Sequence, residues 1–107
     1  MIEVIMSTFA VKADKFFLPG ATSGPGYLLV EDGIFGHFTK EKPECEIIDH
    51  TGSWVAPGLV DTHIHGFLDH DIMDCDPDGV IEIAQGLLSN GVTSCLPTTL
   101  TASVEQT

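Results

Sequence analysis

The chain has 107 residues and a formal net charge of −12 at pH 7, from four basic and sixteen acidic residues. Its hydrophobic share of 43% is enough to build a packed core, which excludes a disordered chain. The acidic balance argues against binding to nucleic acid or to an anionic membrane surface, because both are negatively charged and are bound through Lys and Arg. No apolar run reaches the roughly 20 residues of a membrane span.

The first half of the chain predicts short strands, at 10–18, 27–30, 34–38 and 45–49. A turn-rich loop is expected at 21–26. Asp32-Gly33 lies between two of the strands, and an Asp-Gly pair suits a tight hairpin. Several strands punctuated by Gly and Pro, without a helical period, indicate part of a small β-sandwich or barrel, and we place this domain at residues 1–53.

The second half predicts a strand, a helix and a second strand. Residues 54–60 form a nearly continuous apolar run, typical of a parallel strand covered on both faces. Asp76-Pro77 suits a helix start and Asn90-Gly91 a helix end. The helix carries an apolar stripe (Val80, Ile81, Ile83, Ala84, Leu87, Leu88), and the second strand is 92–96. This βαβ unit indicates an α/β fold with a parallel sheet, and we place it at 54–107.

Both ends of the chain and its cysteines carry information. The stretch 1–17 lacks a basic opening and a cleavage site, so we expect no signal peptide. Three unpaired-looking cysteines (Cys45, Cys75, Cys95) fit reduced thiols in a cytoplasmic protein. Ser103 begins an S-x-x-Q capping box, which predicts a helix that starts where the sequence stops. A helix of about four residues is not stable alone, so we expect a truncated chain.

The strongest chemical signal is the stretch from Asp61 to His65, DTHIH. On a strand, residues i, i+2 and i+4 share one face, so Asp61, His63 and His65 point the same way. Two imidazoles on one face can bind a divalent metal ion such as zinc, iron or nickel, and Asp61 can orient a ligand from behind. The position at the C-terminal end of a parallel strand favours a metal site, although an isolated His-x-His pair is also common by chance.

Other polar residues are weaker candidates. His37 and His50 are expected to be surface or packing residues, and His70 a solvated loop residue that can approach the site. The acidic run 69–78 lacks the glycine and the closing glutamate of a calcium loop, so we reject that interpretation. Three threonines after the second strand offer hydroxyl groups, although such residues are more often structural (Thr98, Thr99, Thr101).

The stretch 54–66, WVAPGLVDTHIHG, resembles the first barrel strand of the amidohydrolase superfamily. In those enzymes a P-G-x-x-D-x-H-x-H stretch leaves a small β-sandwich and enters a (β/α)8 barrel that carries one or two metal ions. The run 91–101, GVTSCLPTTLT, is similar to the N-acetylglucosamine-6-phosphate deacetylase family, and DIMD at 71–74 fits the same family. The resemblance implies the N-terminal segment of a metal-dependent amidohydrolase, with His63 and His65 as metal ligands.

The resemblance also implies what this chain lacks. The family's other metal ligands, its catalytic aspartate and its phosphate-binding residues lie beyond Thr107, so we expect no catalytic residue here and an inactive fragment. The substrate implied is a small amino-sugar phosphate that loses acetate, and the full-length parent is expected to be a homodimer.

Two alternatives stay open. A dihydroorotase-like or hydantoinase-like cyclic amidase shares the first-strand motif. A stand-alone β-rich interaction module would make His63 and His65 structural or opportunistic metal-binding residues. A reading frame that continues for roughly 270 residues would favour the enzyme, and a native stop would favour the module.

Overall fold

In the computed structural model of the chain we describe residues 7–106. The residues 1–6, on which part of the signal-peptide expectation falls, and Thr107 lie outside the described residues. The chain divides into two compact units, Met1–Pro57 and Gly58–Thr107. The strands of the first unit are β1 (Thr8–Leu18), β2 (Ala21–Ser23), β3 (Gly26–Glu31), β4 (Ile34–Thr39) and β5 (Glu46–Val55).

A five-stranded sheet forms the N-terminal unit, with β1 at its centre. β2 and β3 pair antiparallel with β1, β4 pairs with β3, and β5 runs parallel to β1. Asp32 and Gly33 both have positive φ at the β3–β4 turn, which confirms the predicted hairpin. The expectation of a loop throughout 21–26 is wrong, because Gly20 (φ 72°) turns the chain back and β2 then pairs with the end of β1.

The core of this unit is small and apolar. Ala10, Ala13 and Phe16 are almost completely buried, and Leu28 is nearly so. The Phe16 ring is the largest buried side chain, and its centroid lies 5.4 Å from that of Phe38. Burial of a side chain of this size contributes about 1.5–3 kcal/mol, so Phe16 is the main anchor of the sheet.

The C-terminal unit contains β6 (Leu59–Ile64), β7 (Gly66–Phe67), β8 (His70–Asp71), α1 (Pro77–Ser89) and β9 (Val92–Pro97). Single 3-10 turns lie at Ile72–Asp74 and Val104–Gln106. β6 and β9 are parallel and are joined through α1, which confirms the predicted βαβ unit. The helix predicted from Ser103 is only the second of these 3-10 turns, and the side chain of Gln106 lies outside the described residues.

The predicted strand at 54–60 is wrong in its bounds. Trp54 and Val55 end β5, and β6 begins only at Leu59. Pro57 has no N–H to donate to a strand ladder, and a Cβ at Gly58 would collide with the side chain of Thr93. The apolar run therefore spans the ends of two strands and the connection between them.

α1 is the single α-helix among the described residues, and its ends follow the predicted caps. Asp76 accepts a hydrogen bond from the N–H of Asp78 at 3.1 Å, and Pro77 occupies the first turn. Gly91 has φ 81° just past the last turn. The predicted apolar stripe is only partly buried: Ile83 and Leu87 are covered, whereas the other four members are exposed (Val80, Ile81, Ala84, Leu88). Within residues 7–106, no helix has the length and hydrophobicity to cross a bilayer.

Candidate metal centre

His63 and His65 converge at the C-terminal end of β6. The Nε2 atoms of the two imidazoles are 3.0 Å apart, and the rings meet edge to face with centroids 4.9 Å apart. β6 and β9 run parallel, so the site lies where both strands end. The two side chains therefore point to one spot, as the strand periodicity predicts.

The residue after β9 fixes the imidazole of His65. The N–H of Thr98 donates to the carbonyl of Ile64 at 2.8 Å, and the carbonyl oxygen of Thr98 lies 2.9 Å from Nδ1 of His65. A carbonyl oxygen can only accept, so Nδ1 of His65 carries the hydrogen and Nε2 keeps a lone pair. Metal-binding histidines generally donate their other ring N–H in this way.

Thr98 accepts the hydrogen bond from His65 with its main-chain carbonyl, whereas the sequence analysis had considered its hydroxyl group. That hydroxyl instead donates to the carbonyl of Leu96 at 3.1 Å. A main-chain carbonyl leaves no trace in the amino-acid sequence. The sequence signal that bears on this contact is the predicted βαβ unit, because it brings the end of the second strand beside the end of the first.

The spacing of the two Nε2 atoms fits two ligands of one metal ion. Zinc–nitrogen bonds are about 2.0–2.1 Å long, so two nitrogens on one tetrahedral ion lie about 3.3 Å apart. The separation of 3.0 Å is close to that value. Over the described part of the chain, no group of three or more His, Cys, Asp or Glu residues is placed to hold a metal ion. His63 and His65 would thus supply two of the three or four protein ligands that such sites use.

Asp61 contacts the main chain of the site. Its Oδ1 accepts a hydrogen bond from the N–H of His63 at 3.1 Å, which closes a short side-chain turn. The sequence assigned Asp61 a role in orienting a ligand. The hydrogen bond that it accepts from the main chain would orient His63 through its backbone.

The other histidines lie apart from this pair. Nε2 of His70 is 3.0 Å from Oε2 of Glu82, and its ring packs against α1 at Gly79. His70 is therefore a half-buried helix contact, and the expectation of a solvated loop residue is wrong. His37 and His50 are exposed strand residues, which confirms their assignment to the surface.

The acidic run before α1 caps helical turns. Asp71 accepts from the N–H of Met73 at 2.8 Å, and Asp74 accepts from the N–H of Asp71 at 2.9 Å. Asp76 caps α1 itself. Three of the five carboxylates in this run therefore satisfy main-chain donors at helix starts, a capping role that does not involve a calcium ion.

Comparison with known proteins places these features in context. No protein-family model matches the chain. N-acetylgalactosamine-6-phosphate deacetylase of Escherichia coli O157:H7 is 33% identical over 75 residues, which cover 70% of this chain and 19% of that protein. N-acetylglucosamine-6-phosphate deacetylase of Bacillus subtilis (strain 168) is 34% identical over 80 residues, which cover 71% of this chain and 20% of that protein.

A shorter match is to 5-methylthioadenosine/S-adenosylhomocysteine deaminase of Bacillus cytotoxicus. It is 42% identical over 45 residues, which cover 37% of this chain and 10% of the deaminase. The two deacetylase matches cover roughly twice as much of the chain. The chain is therefore similar to the deacetylases over more of its length than to the deaminase.

The fold is also found in a solved structure. A variant of N-acetyl-D-glucosamine-6-phosphate deacetylase from Mycobacterium smegmatis, in complex with N-acetyl-D-glucosamine-6-phosphate, matches with a TM-score of 0.76 and 22% identity. The match covers 94% of this chain and 26% of that chain. The resemblance seen in the sequence agrees with these matches: the curated relatives and the solved structure are amino-sugar phosphate deacetylases, and the chain spans about a fifth of the length of the curated relatives it matches.

Proposed function

We propose that this chain supplies the first metal-binding strand of an amidohydrolase that removes acetate from N-acetylglucosamine 6-phosphate. One observation carries the proposal: the Nε2 atoms of His63 and His65 lie 3.0 Å apart at the end of a parallel strand pair. The deacetylase names of its relatives supply the substrate class.

The chain would supply two metal ligands to this site. His63 and His65 would bind the divalent ion, which we expect to be zinc, iron or nickel. When bound, such an ion polarises an amide carbonyl and lowers the pKa of its water. The Thr98 carbonyl keeps the Nε2 lone pair of His65 available, and Asp61 holds the main chain of His63. We assign no catalytic acid or base within this chain.

We infer that residues 1–53 are part of a small β-sandwich domain and that 54–107 begin a (β/α)8 barrel. The β6–α1–β9 unit is the element that such a barrel repeats, and the division of the chain near Pro57 supports a boundary in this region. A barrel needs about 250 residues, so the further ligands, the proton-transferring aspartate and the phosphate-binding residues would come from outside this chain. The parent would be a cytoplasmic homodimer.

A deaminase acting on adenosine derivatives is a second candidate, favoured by the 42% identity over 45 residues. Both reactions are hydrolyses in which water attacks a carbon atom and a carbon–nitrogen bond breaks, so one metal-binding strand suits either. The shorter share of the chain that this match covers makes the deacetylase the better proposal.

The test is a substrate comparison with the parent protein that contains this chain. We expect acetate release from N-acetylglucosamine 6-phosphate, far slower release from the unphosphorylated sugar, and no opening of dihydroorotate. Release of ammonia from 5-methylthioadenosine would favour the deaminase, and hydrolysis of dihydroorotate alone would favour the cyclic amidase. A protein that ends near residue 107 and hydrolyses none of these compounds would favour the interaction module.

A further inference from the structure

The segment that follows His65 folds as a hairpin rather than an open loop. β7 and β8 pair antiparallel, with Gly66 opposite Asp71 and Phe67 opposite His70. The N–H of Ile72 donates to the carbonyl of His65 at 2.7 Å. The hairpin therefore starts immediately after His65 and closes on its main chain.

The two residues at the hairpin tip are in an unfavourable backbone conformation. Leu68 has φ 53° and Asp69 has φ 63°, the left-handed region that two-residue loops need and that Gly or Asn normally occupies. A branched residue such as Leu persists there only when surrounding contacts hold it. Leu68 contacts α1 at Gly86 through the end of its side chain, while 53% of the residue is exposed.

Two glycines on α1 form the seat of the hairpin. A Cβ at Gly86 would lie 2.6 Å from Cδ1 of Leu68 and 2.9 Å from Cε1 of Phe67, and a Cβ at Gly79 would lie 2.7 Å from Nδ1 of His70. The two positions are seven residues apart and so lie on one helix face. Glycine weakens a helix interior relative to alanine, so two glycines within 13 residues indicate a packing requirement.

We propose that Gly79 and Gly86 are positioning residues for His65. Their missing side chains let the hairpin seat on α1, and the seated hairpin fixes the main chain of His65 from its C-terminal side while Thr98 fixes its imidazole. The importance of this seat for metal binding rests on the proposed function. The seat and the orientation of His65 are properties of the chain that can be measured without a metal ion.

The experiment compares Gly79→Ala and Gly86→Ala with the exposed control Gln85→Ala on the same helix, in the parent protein. Zinc titration by calorimetry should show binding about tenfold weaker in each glycine variant and unchanged in the control, because changes around a metal ligand commonly cost 10–100-fold. Nitrogen NMR of histidine-labelled, metal-free protein should show the hydrogen on Nδ1 of His65 in the wild type and in the control. In the glycine variants we expect this fixed tautomer to be lost, with helix content unchanged.

A second variant separates the seat from a general loss of folding. Leu68→Ala in the Gly86→Ala background removes the Cδ1 atom that the new Cβ would meet, so we expect partial recovery of zinc affinity and of the His65 tautomer. Wild-type affinity and an unchanged tautomer in both glycine variants would overturn the proposal. A wild type that binds no zinc through His63 and His65 would refute the metal site instead, while the metal-free NMR comparison would still decide whether the seat exists.

Discussion

The N-terminal and C-terminal units differ in how much apolar surface each buries by itself. The five-stranded sheet encloses Ala13 and Phe16 almost completely, whereas β6 leaves Leu59 and Val60 each 62% exposed. The candidate metal ligands belong to the less closed unit. Since an exposed strand face is normally covered by another layer, we expect the C-terminal unit to depend on residues beyond its own core and the N-terminal sheet to depend on them less.

The largest effect should come from the two histidines. His63→Ala combined with His65→Ala in the parent protein should reduce acetate release by at least about 10³-fold, because loss of a bound metal removes both carbonyl polarisation and water activation. The matched control is His37→Ala combined with His50→Ala, two exposed histidines of the N-terminal sheet. Activity and bound metal would be measured together, and activity that survives the first pair would place the metal ligands elsewhere.

The next effect concerns the core of the N-terminal sheet. Phe16→Ala should destabilise this unit by about 3–5 kcal/mol, since it leaves a cavity beside the Phe38 ring. Phe35→Ala on β4 is the control: its side chain is 69% exposed, so we expect a change within about 0.5 kcal/mol. Urea unfolding followed by Trp54 fluorescence would measure both, and equal costs would contradict the core assigned here.

Leu88→Ala tests whether the exposed face of α1 in the C-terminal unit is covered in the parent protein. Leu88 on α1 is 62% exposed, so the substitution should cost no more than about 0.5 kcal/mol in the 107-residue chain. If a further barrel layer covers this face in the parent, the cost there should rise to about 2–5 kcal/mol. Thermal or urea unfolding of both lengths provides the comparison. The same small cost in both would mean that this helix face is a solvent face.

The smallest effect is a pH dependence in the N-terminal sheet. Hydrogen bonds from the side chain and main chain of Thr51, and then from Lys12, lower the pKa of Asp49 to about 2 from 3.8. A lowered pKa in the folded state stabilises the protein above the unfolded value, and this stabilisation is lost as the pH falls from about 4 to about 2.

Asp49→Asn should remove that part of the pH dependence, and Thr51→Ala should reduce it, because alanine removes the hydroxyl hydrogen bond, the largest single cause, but keeps the main-chain N–H. Urea midpoints measured between pH 2 and pH 6 would show both changes. Because Asp49 is exposed, we expect a modest shift in the midpoint. Parallel curves for the wild type and both variants would contradict the assignment.

The sequence was most informative where one or two neighbouring residues decide the backbone. Asp32-Gly33 predicted a hairpin and Asp76-Pro77 a helix start, because positive φ and capping are local properties. The strand periodicity likewise predicted that His63 and His65 share one face. The bounds at 54–60 were missed because one apolar run can belong to one strand or to the ends of two.

Contacts between distant residues were not visible in the sequence. The tip of the β7–β8 hairpin, Leu68-Asp69, lacks the glycine that marks the β3–β4 turn, and the hairpin's contacts with α1 are at Gly79 and Gly86, which follow it in the chain. The contact between the Thr98 carbonyl and His65 could not be predicted either, because every residue has a main-chain carbonyl. Within the described residues no group of three or more His, Cys, Asp or Glu residues is placed to hold a metal ion, so no pattern among them reveals how the site would be completed.

The central claim is that His63 and His65 hold one metal ion together. Anomalous X-ray diffraction at the zinc edge from zinc-loaded parent crystals tests it directly. We expect an anomalous peak about 2.0–2.1 Å from Nε2 of both histidines, with Nδ1 of His65 still facing the carbonyl of Thr98. A bound zinc ion whose peak lies beyond bonding distance of either imidazole would contradict the account.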